Sequence, residues 1–405
     1  MGDKYRLDTD ENRAFLDTIR KDLLTFASHF PSPGGSAWYL GDDGSPMKEK
    51  DRETHETCRM VYVYCLGELE GFPGSRELVD KALGALKGEM KDKKNGGWYT
   101  ALTEKDTPTE GKWCYVHAFV IFAASCACAL KHEGAEELLK EALETYDKYF
   151  WEEEKGMSCD TWDTAFSVKD PYRGLNANMH SVEAFITAAD CAGKEEYRKK
   201  AGRIIDHVIP WARDNNWRIP EHYREDWTPE REFNKDHPDD QYKPYGATPG
   251  HAFEWARLIV QWALSVHGAE SEEFKPYLNA SESLFTQALS DAWNADGAEG
   301  IVYTTDWEGH PVVHDRMYWV LAEAIDTASV LYRLTGKEVY TRWYETFMKF
   351  LDEKVLDHKN GSWFHQLDKN NVLTDTVWPG KPDAYHAIQA TLIPYQEGVK
   401  SLCAK

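Results

Sequence analysis

The sequence predicts an all-α fold, an (α/α)6 barrel of six helical hairpins with an inner and an outer ring. Three observations predict it. A short turn-plus-aromatic signature recurs six times: GGSAW ending at Trp38, NGGWY around Trp98, KGMSC around Ser158, DNNWR around Trp217, EGIVY around Val302 and NGSWF around Trp363. Those positions lie 60, 60, 59, 85 and 61 residues apart, and self-similarity at a near-constant period marks a repeat architecture. Amphipathic segments also alternate with segments that are apolar nearly all round, one of each per repeat. Helices apolar on every side are buried, so the amphipathic set must cover them.

The elements follow in a fixed order. Outer helices with a charged face are expected over 10–29, 75–90, 136–150, 196–213, 272–292 and 339–355. Each leads into its signature, where Asn-Gly or Gly-Gly supplies the positive φ of a tight hairpin. Inner helices are then expected over 56–69, 113–130, 177–192, 250–267, 317–336 and 384–398. Six repeats without a polar terminal cap favour a closed ring over an open solenoid. The inner helices then run parallel, with their N-terminal ends at one mouth. The long fourth interval places an insertion, EHYREDWTPEREFNKDHPDDQYKPYGATPG, just before the fourth inner helix. Insertions in repeat proteins map to one face, often the binding face, so a lid is expected at about 220–250. No low-complexity or Pro/Gly/Ser-rich stretch divides the chain, which reads as one catalytic domain over 1–405.

Composition narrows the partners. The net charge of −22 argues against nucleic acid and anionic membranes, which need a basic face. The polar N-terminus shows no signal peptide, and no apolar run reaches membrane-spanning length. The eight Cys, mostly inside apolar runs such as IFAASCACAL, contain no CxxC pair. They read as reduced core thiols, consistent with a cytoplasmic location. The 16 Trp and 21 Tyr suit core packing and also sugar binding, because a flat ring stacks on the C–H face of a pyranose. A monosaccharide is the expected ligand, bound by a monomer or homodimer.

Polar residues recur near the starts of the otherwise apolar inner helices. They are Arg59; Tyr115 and His117; Asn176 and His180; His251 and Glu254; Trp319 and Glu323; and His386 and Gln389, preceded by Trp378 and Asp383. Charged residues are rarely buried unless paired, so matched positions around a ring point to a convergent site at the barrel axis. His-x-x-Glu/Gln occurs at His180/Glu183, His251/Glu254 and His386/Gln389. Residues three apart share a helix face, so each acid or amide is expected to orient its own His or to bind ligand beside it. His117, one turn away, reads as a core residue. His29, His132, His207, His267 and His358 read as surface residues.

Histidines with carboxylates and one Arg suit general acid/base catalysis near neutral pH. Moving a proton between adjacent carbons of an open-chain sugar needs such a base, and Arg59 could support the developing enediolate oxygens. Rival chemistries remain open. A glycosidase could oppose Asp383 and Glu254, but three His would lack a role. A metal isomerase could use His180, His251, His386 and Glu254 as ligands. A sugar-binding module without catalysis is a third possibility. No phosphate-cradling loop is evident, and no cofactor or metal is expected.

Arg59 in TCRMVYVYCLG, Asn176 and His180 in LNANMHSVEAF, His251 and Glu254 in PYGATPGHAFEWARL, Trp319 in YWVLAEAI and His386 in WPGKPDAYHAIQA carry a resemblance. The chain resembles the N-acylglucosamine 2-epimerase superfamily over about 38–398, and within it the aldose–ketose isomerase branch. The resemblance implies an (α/α)6 barrel and metal-free proton transfer through a cis-enediolate. It implies that His251 shuttles the proton between C2 and C1, His386 assists ring opening, and Glu254 supports His251. Arg59, Tyr115, Asn176, His180, Trp319, Trp378 and Asp383 would bind or stack on the sugar. The implied reaction interconverts D-mannose and D-fructose, with D-lyxose as a related aldose. Sugar 2-epimerisation and sulfoquinovose isomerisation are the alternatives. Gln241 and Lys243 stand in the insertion where sulfonate recognition would call for cations, which favours a neutral hexose.

Overall fold

A computed structural model describes residues 3–398 and 400–404. Among them twelve α-helices alternate between two rings. The outer ring is α1 (Asp10–Ala27), α3 (Ser75–Lys87), α5 (Ala135–Tyr149), α7 (Glu195–Arg213), α9 (Lys275–Ala292) and α11 (Glu338–Phe350). The inner ring is α2 (Thr54–Leu69), α4 (Cys114–Ala129), α6 (Leu175–Ala192), α8 (Pro249–His267), α10 (Tyr318–Thr335) and α12 (Tyr385–Leu392). Each inner helix packs on the next, and α12 closes back onto α2. The fold is therefore an (α/α)6 barrel.

Burial follows the sequence pattern. From Cys114 to Ala127, α4 is buried at every position except Tyr115, whose ring faces a cavity at the mouth. Outer helices bury one stripe only; in α5 it is Leu138, Leu139, Ala142, Leu143 and Tyr146, the i, i+3, i+4 spacing of a helix covering a core. One cluster of apolar side chains runs through all six repeats.

Two ends depart from expectation. The last inner helix stops at Leu392 rather than continuing to 398, because Pro394 has no N–H and its ring clashes with the preceding turn. The Arg333 guanidinium takes up the freed carbonyls of Ile393 and Pro394. The α-helical part of α11 ends at Phe350, and Leu351–Val355 form a π turn.

Most signature loops close as short antiparallel pairs, with Pro31 opposite Ala37, Lys91 opposite Trp98, Trp293 opposite Ile301 and Leu356 opposite Trp363, and Trp151 opposite Ser158. Gly97 has φ +68, and a Cβ there would lie 2.6 Å from Nε2 of His117. That close approach lets His117 accept the Trp98 N–H at 3.2 Å while its Nδ1–H donates to the Trp113 carbonyl at 2.7 Å.

A recurring ion pair ties four of the six hairpins to their inner helices. A basic residue just before the helix meets an acid in the preceding hairpin: Lys112–Asp92 at 2.9 Å, Arg173–Glu152 at 3.3 Å, Arg316–Asp296 at 2.7 Å and Lys381–Asp357 at 2.6 Å. In the first repeat Arg52 donates to Ser36 Oγ at 2.8 Å. The fourth repeat has Ala247 at the equivalent place, and its backbone exchanges two hydrogen bonds with Thr305 at 2.9 and 3.0 Å. That repeat carries the 220–250 insertion, which starts with a two-residue strand, His222–Tyr223, pairing with Arg173–Gly174.

His132, expected at the surface, is buried. It sits in the α4–α5 connection, where Nδ1 faces Asp80 at 2.7 Å and Nε2 faces Glu68 at 3.2 Å. The cysteines are free, six buried and two, Cys128 and Cys191, partly exposed. No helix among the described residues is long and apolar enough to cross a membrane.

Candidate active site

The N-terminal ends of the inner helices converge on one cavity. Its walls include Arg59, Tyr115, Asn176, His180, His251, Glu254, Trp319, Trp378, Asp383 and His386. Helical side chains lean toward the N-terminus of their own helix, so first-turn residues of parallel inner helices project together into the mouth.

His251 and His386 stand on either side of Trp319, with ring centroids 5.2 and 5.7 Å from the indole. Each imidazole is anchored through Nδ1. That of His251 donates to Glu221 Oε1 at 3.0 Å, and that of His386 to Glu323 Oε1 at 2.9 Å. With Nδ1–H donating to a carboxylate, Nε2 is left as the basic nitrogen. Burial pushes the His386 pKa below its ordinary value, partly opposed by Glu323, so the ring is neutral at pH 7.

This geometry corrects the expected i, i+3 pairing. Glu254 does not orient His251, and Gln389 does not orient His386. A first-turn His reaches outward, toward the connection that holds Glu221 or across to α10, whereas the residue one turn deeper points at the barrel axis. Glu254 lies on the floor with both carboxyl oxygens buried and unpartnered. Burial, with Glu323 and Glu183 nearby, pushes its pKa well above the ordinary carboxylate value. The shift favours the protonated carboxyl, whose O–H can donate. His180 does face its i+3 acid, Glu183, at 3.4 Å, and Glu254 lies 3.7 Å away. Burial first, against the pull of Glu183, lowers His180 to about 4.

Arg59 is buried, with both terminal nitrogens engaged and Nε without a partner. It donates to Asp383 Oδ2 at 2.7 Å, to Glu56 Oε1 at 3.3 Å and to the Tyr115 hydroxyl at 3.0 Å. Burial opposes its charge, but Tyr115, Asp383 and Glu56 more than offset this. Because Tyr115 accepts from Arg59, its own O–H is free to donate into the cavity. Asp383, expected to bind sugar, spends both oxygens inside the protein. Oδ1 accepts from Tyr318 and from the Tyr385 N–H, each at 2.8 Å. It braces Arg59 and the start of α12.

Four contributors escaped sequence reasoning. Glu221 lies in a connection with no helical register. Arg257 sits one turn below Glu254 and holds Glu323 at 3.0 Å. Burial would raise Glu323, but Arg257 and His386 hold it at about 2. His365 stacks on Tyr318 at 3.8 Å and bonds the Asp383 carbonyl at 3.1 Å. Tyr242, from the insertion, lines the cavity and donates to Glu53 Oε1 at 2.6 Å. For the first two, only an inner-helix base or a charged loop residue near the fourth repeat was there to be noticed.

Of the three groups of described residues that could offer clustered ligand atoms to a cation, two include residues that line the cavity: His180, Glu183 and Glu254, and Glu254, Glu323 and His386. Neither suits one well. Glu183 already accepts from the Tyr385 hydroxyl, and the Arg257 guanidinium occupies Glu323. His251, proposed above as a metal ligand, belongs to neither group.

The N-acylglucosamine 2-epimerase family model matches residues 34–390. A D-mannose isomerase of Thermobifida fusca is 41% identical over 389 residues, 95% of this chain and 94% of that protein. One from Pseudomonas cannabina pv. alisalensis is 38% identical over 92% of this chain and 90% of its own length. Among solved structures, a crystal structure of D-mannose isomerase superposes with a TM-score of 0.86 at 26% identity, covering 93% of this chain and 96% of that one.

Proposed function

The chain belongs to the N-acylglucosamine 2-epimerase family, and from that premise we propose that it is an aldose–ketose isomerase interconverting D-mannose and D-fructose. The observation that carries the chemistry is the pair of carboxylate-anchored imidazoles, His251 and His386, flanking Trp319 in one cavity. With Nδ1 engaged, both leave Nε2 free to accept a proton, which is what this proton transfer needs.

His386 opens the ring by exchanging a proton with the anomeric hydroxyl and ring oxygen. His251 Nε2 then removes the C2 proton from the open-chain aldose and returns it to C1 of the cis-enediolate, while the O2 proton passes to O1 and the C2 carbonyl forms. The Tyr115 hydroxyl, held by Arg59, donates to the developing oxyanion, where a preorganised donor stabilises charge most effectively. Glu254, Asn176 and His180 bind hydroxyls, and Trp319 and Trp378 offer faces to the sugar. The ligand is a monosaccharide, the insertion is the lid over it, and the protein acts in the cytoplasm as a monomer or homodimer. No step calls for a metal.

Incubation with D-mannose in D2O, followed by NMR, tests this. Fructose should appear, with solvent deuterium incorporated at the transferred position in part of the product. Absence of both product and deuterium would refute the proposal. Deuterium at C2 with only an inverted aldose formed would move the assignment to 2-epimerisation.

A further inference from the structure

Beside the catalytic cavity lies a second one, of about 310 Å3 against about 40 Å3 for the first. Tyr115, Asn176 and Tyr242 line both. These three side chains form the partition between them, with Tyr242 packed edge-on against Trp113, ring centroids 5.7 Å apart. On the outer side, Trp113 and Tyr172 supply aromatic faces. At the partition, the Asn176 Oδ1 is buried without a hydrogen-bond partner, an acceptor suited to a hydroxyl.

The charge of this vestibule is one-sided. Asp160, Asp170 and Asp240 line it with a single cation, Lys243. That cation is already engaged: its Nζ lies 3.7 Å from Asp160 Oδ1 and 3.9 Å from the centre of the Tyr172 ring. A neutral sugar can use the carboxylates as hydroxyl acceptors. A phosphorylated or sulfonated sugar meets repulsion that only salt can screen.

We propose that this vestibule is the entry subsite for the sugar, and that its three carboxylates select uncharged sugars over sugar phosphates and sulfonates. The inference rests on the sugar-isomerase reading and names its substrate class. The aromatic walls hold a pyranose by its C–H face before Tyr242 lets it pass.

The test compares binding of D-mannose and D-mannose 6-phosphate by calorimetry, to the full chain and to a D160N/D170N/D240N variant, at low and high salt. Asparagine keeps the carbonyl that accepts the turn N–H groups of Tyr172, Tyr242 and Lys243, so the loops should persist; a Tm measurement checks this, and Asp240→Asn alone serves if the triple variant is unstable. The unaltered chain should bind the phosphate at least about 10-fold more weakly than mannose at low salt, with the gap shrinking as salt screens the repulsion. The gap should also shrink in the variant. A gap that is the same in the folded variant, or phosphate bound as tightly as mannose by the unaltered chain, would overturn the proposal. Parallel turnover of mannose reports separately on the isomerase reading, since binding selectivity can hold even if no fructose forms.

Discussion

His251 and His386 face the same indole but are held in different ways. Glu323, which anchors His386, sits on the adjoining inner helix and is itself clamped by Arg257. Glu221, which anchors His251, sits in the connection between α7 and α8, at the start of the insertion. One imidazole is fixed by the ring; the other is fixed by the one repeat in which the hairpin-to-helix ion pair is replaced by backbone bonds at Ala247. Rigid support suits a group that acts on the ring oxygen at one place. Support from a mouth loop suits a base that must serve two carbons, because the loop can adjust as the sugar settles.

Removing either imidazole should have the largest effect. His251→Ala and His386→Ala are each expected to lower kcat by roughly 10²–10⁴-fold, the usual worth of a positioned acid/base, measured by steady-state mannose turnover. A drop in one variant only would leave the comparison with a single base.

Glu323→Gln comes next. It should lower kcat by roughly 10²-fold through loss of ring orientation, by analogy with carboxylates that hold a catalytic imidazole. It also leaves Arg257 with one charge fewer to face, and breaking a buried pair of this kind costs about 3–5 kcal/mol, readable in urea denaturation. Glu323 raises the His386 pKa against burial, so its loss should move the acid limb of the kcat profile to lower pH. An unmoved limb would separate His386 from the observed titration.

Glu221→Gln should cost less, roughly 10-fold in kcat, with little change in stability because its partner is a single imidazole and no guanidinium faces it. If it proved as damaging to folding as Glu323→Gln, the contrast between loop and ring support would fail.

The smallest effect concerns pH and stability. Burial lowers His55, His180 and His365 to about 4 and His117 to about 3. Their unfolded forms bind protons below about pH 6.5 while the folded forms stay neutral. This contribution is complete above about pH 6.5 and is lost as pH falls toward 4. A Tm that falls progressively over that window is expected, and His117→Gln should flatten part of the fall.

The ring itself was legible because its evidence is periodic: apolar runs, turn signatures and a polar residue at one height of each inner helix. His180, His251 and His386 stood out for that reason. Glu221 and Arg257 did not, since Glu221 sits in the loop before its helix and Arg257 reaches Glu323 on a neighbouring helix, contacts that no spacing within one helix encodes. The same holds for Lys112 and Asp92, or Lys381 and Asp357, whose pairing needs the hairpin closed. Asp383 was visible as a polar residue at the mouth, but only contacts with Arg59 and Tyr318 reveal that its oxygens are spent.

That His251 is the base at C1 and C2 is tested most directly by a crystal structure with D-mannitol, an open-chain hexitol that cannot react. The hexitol should lie in the Trp319 cavity with His251 Nε2 within about 3.5 Å of both C1 and C2 and the Tyr115 hydroxyl bonded to an adjacent oxygen. A hexitol whose C1–C2 edge lies against His386 or His180, with His251 out of reach, would contradict it.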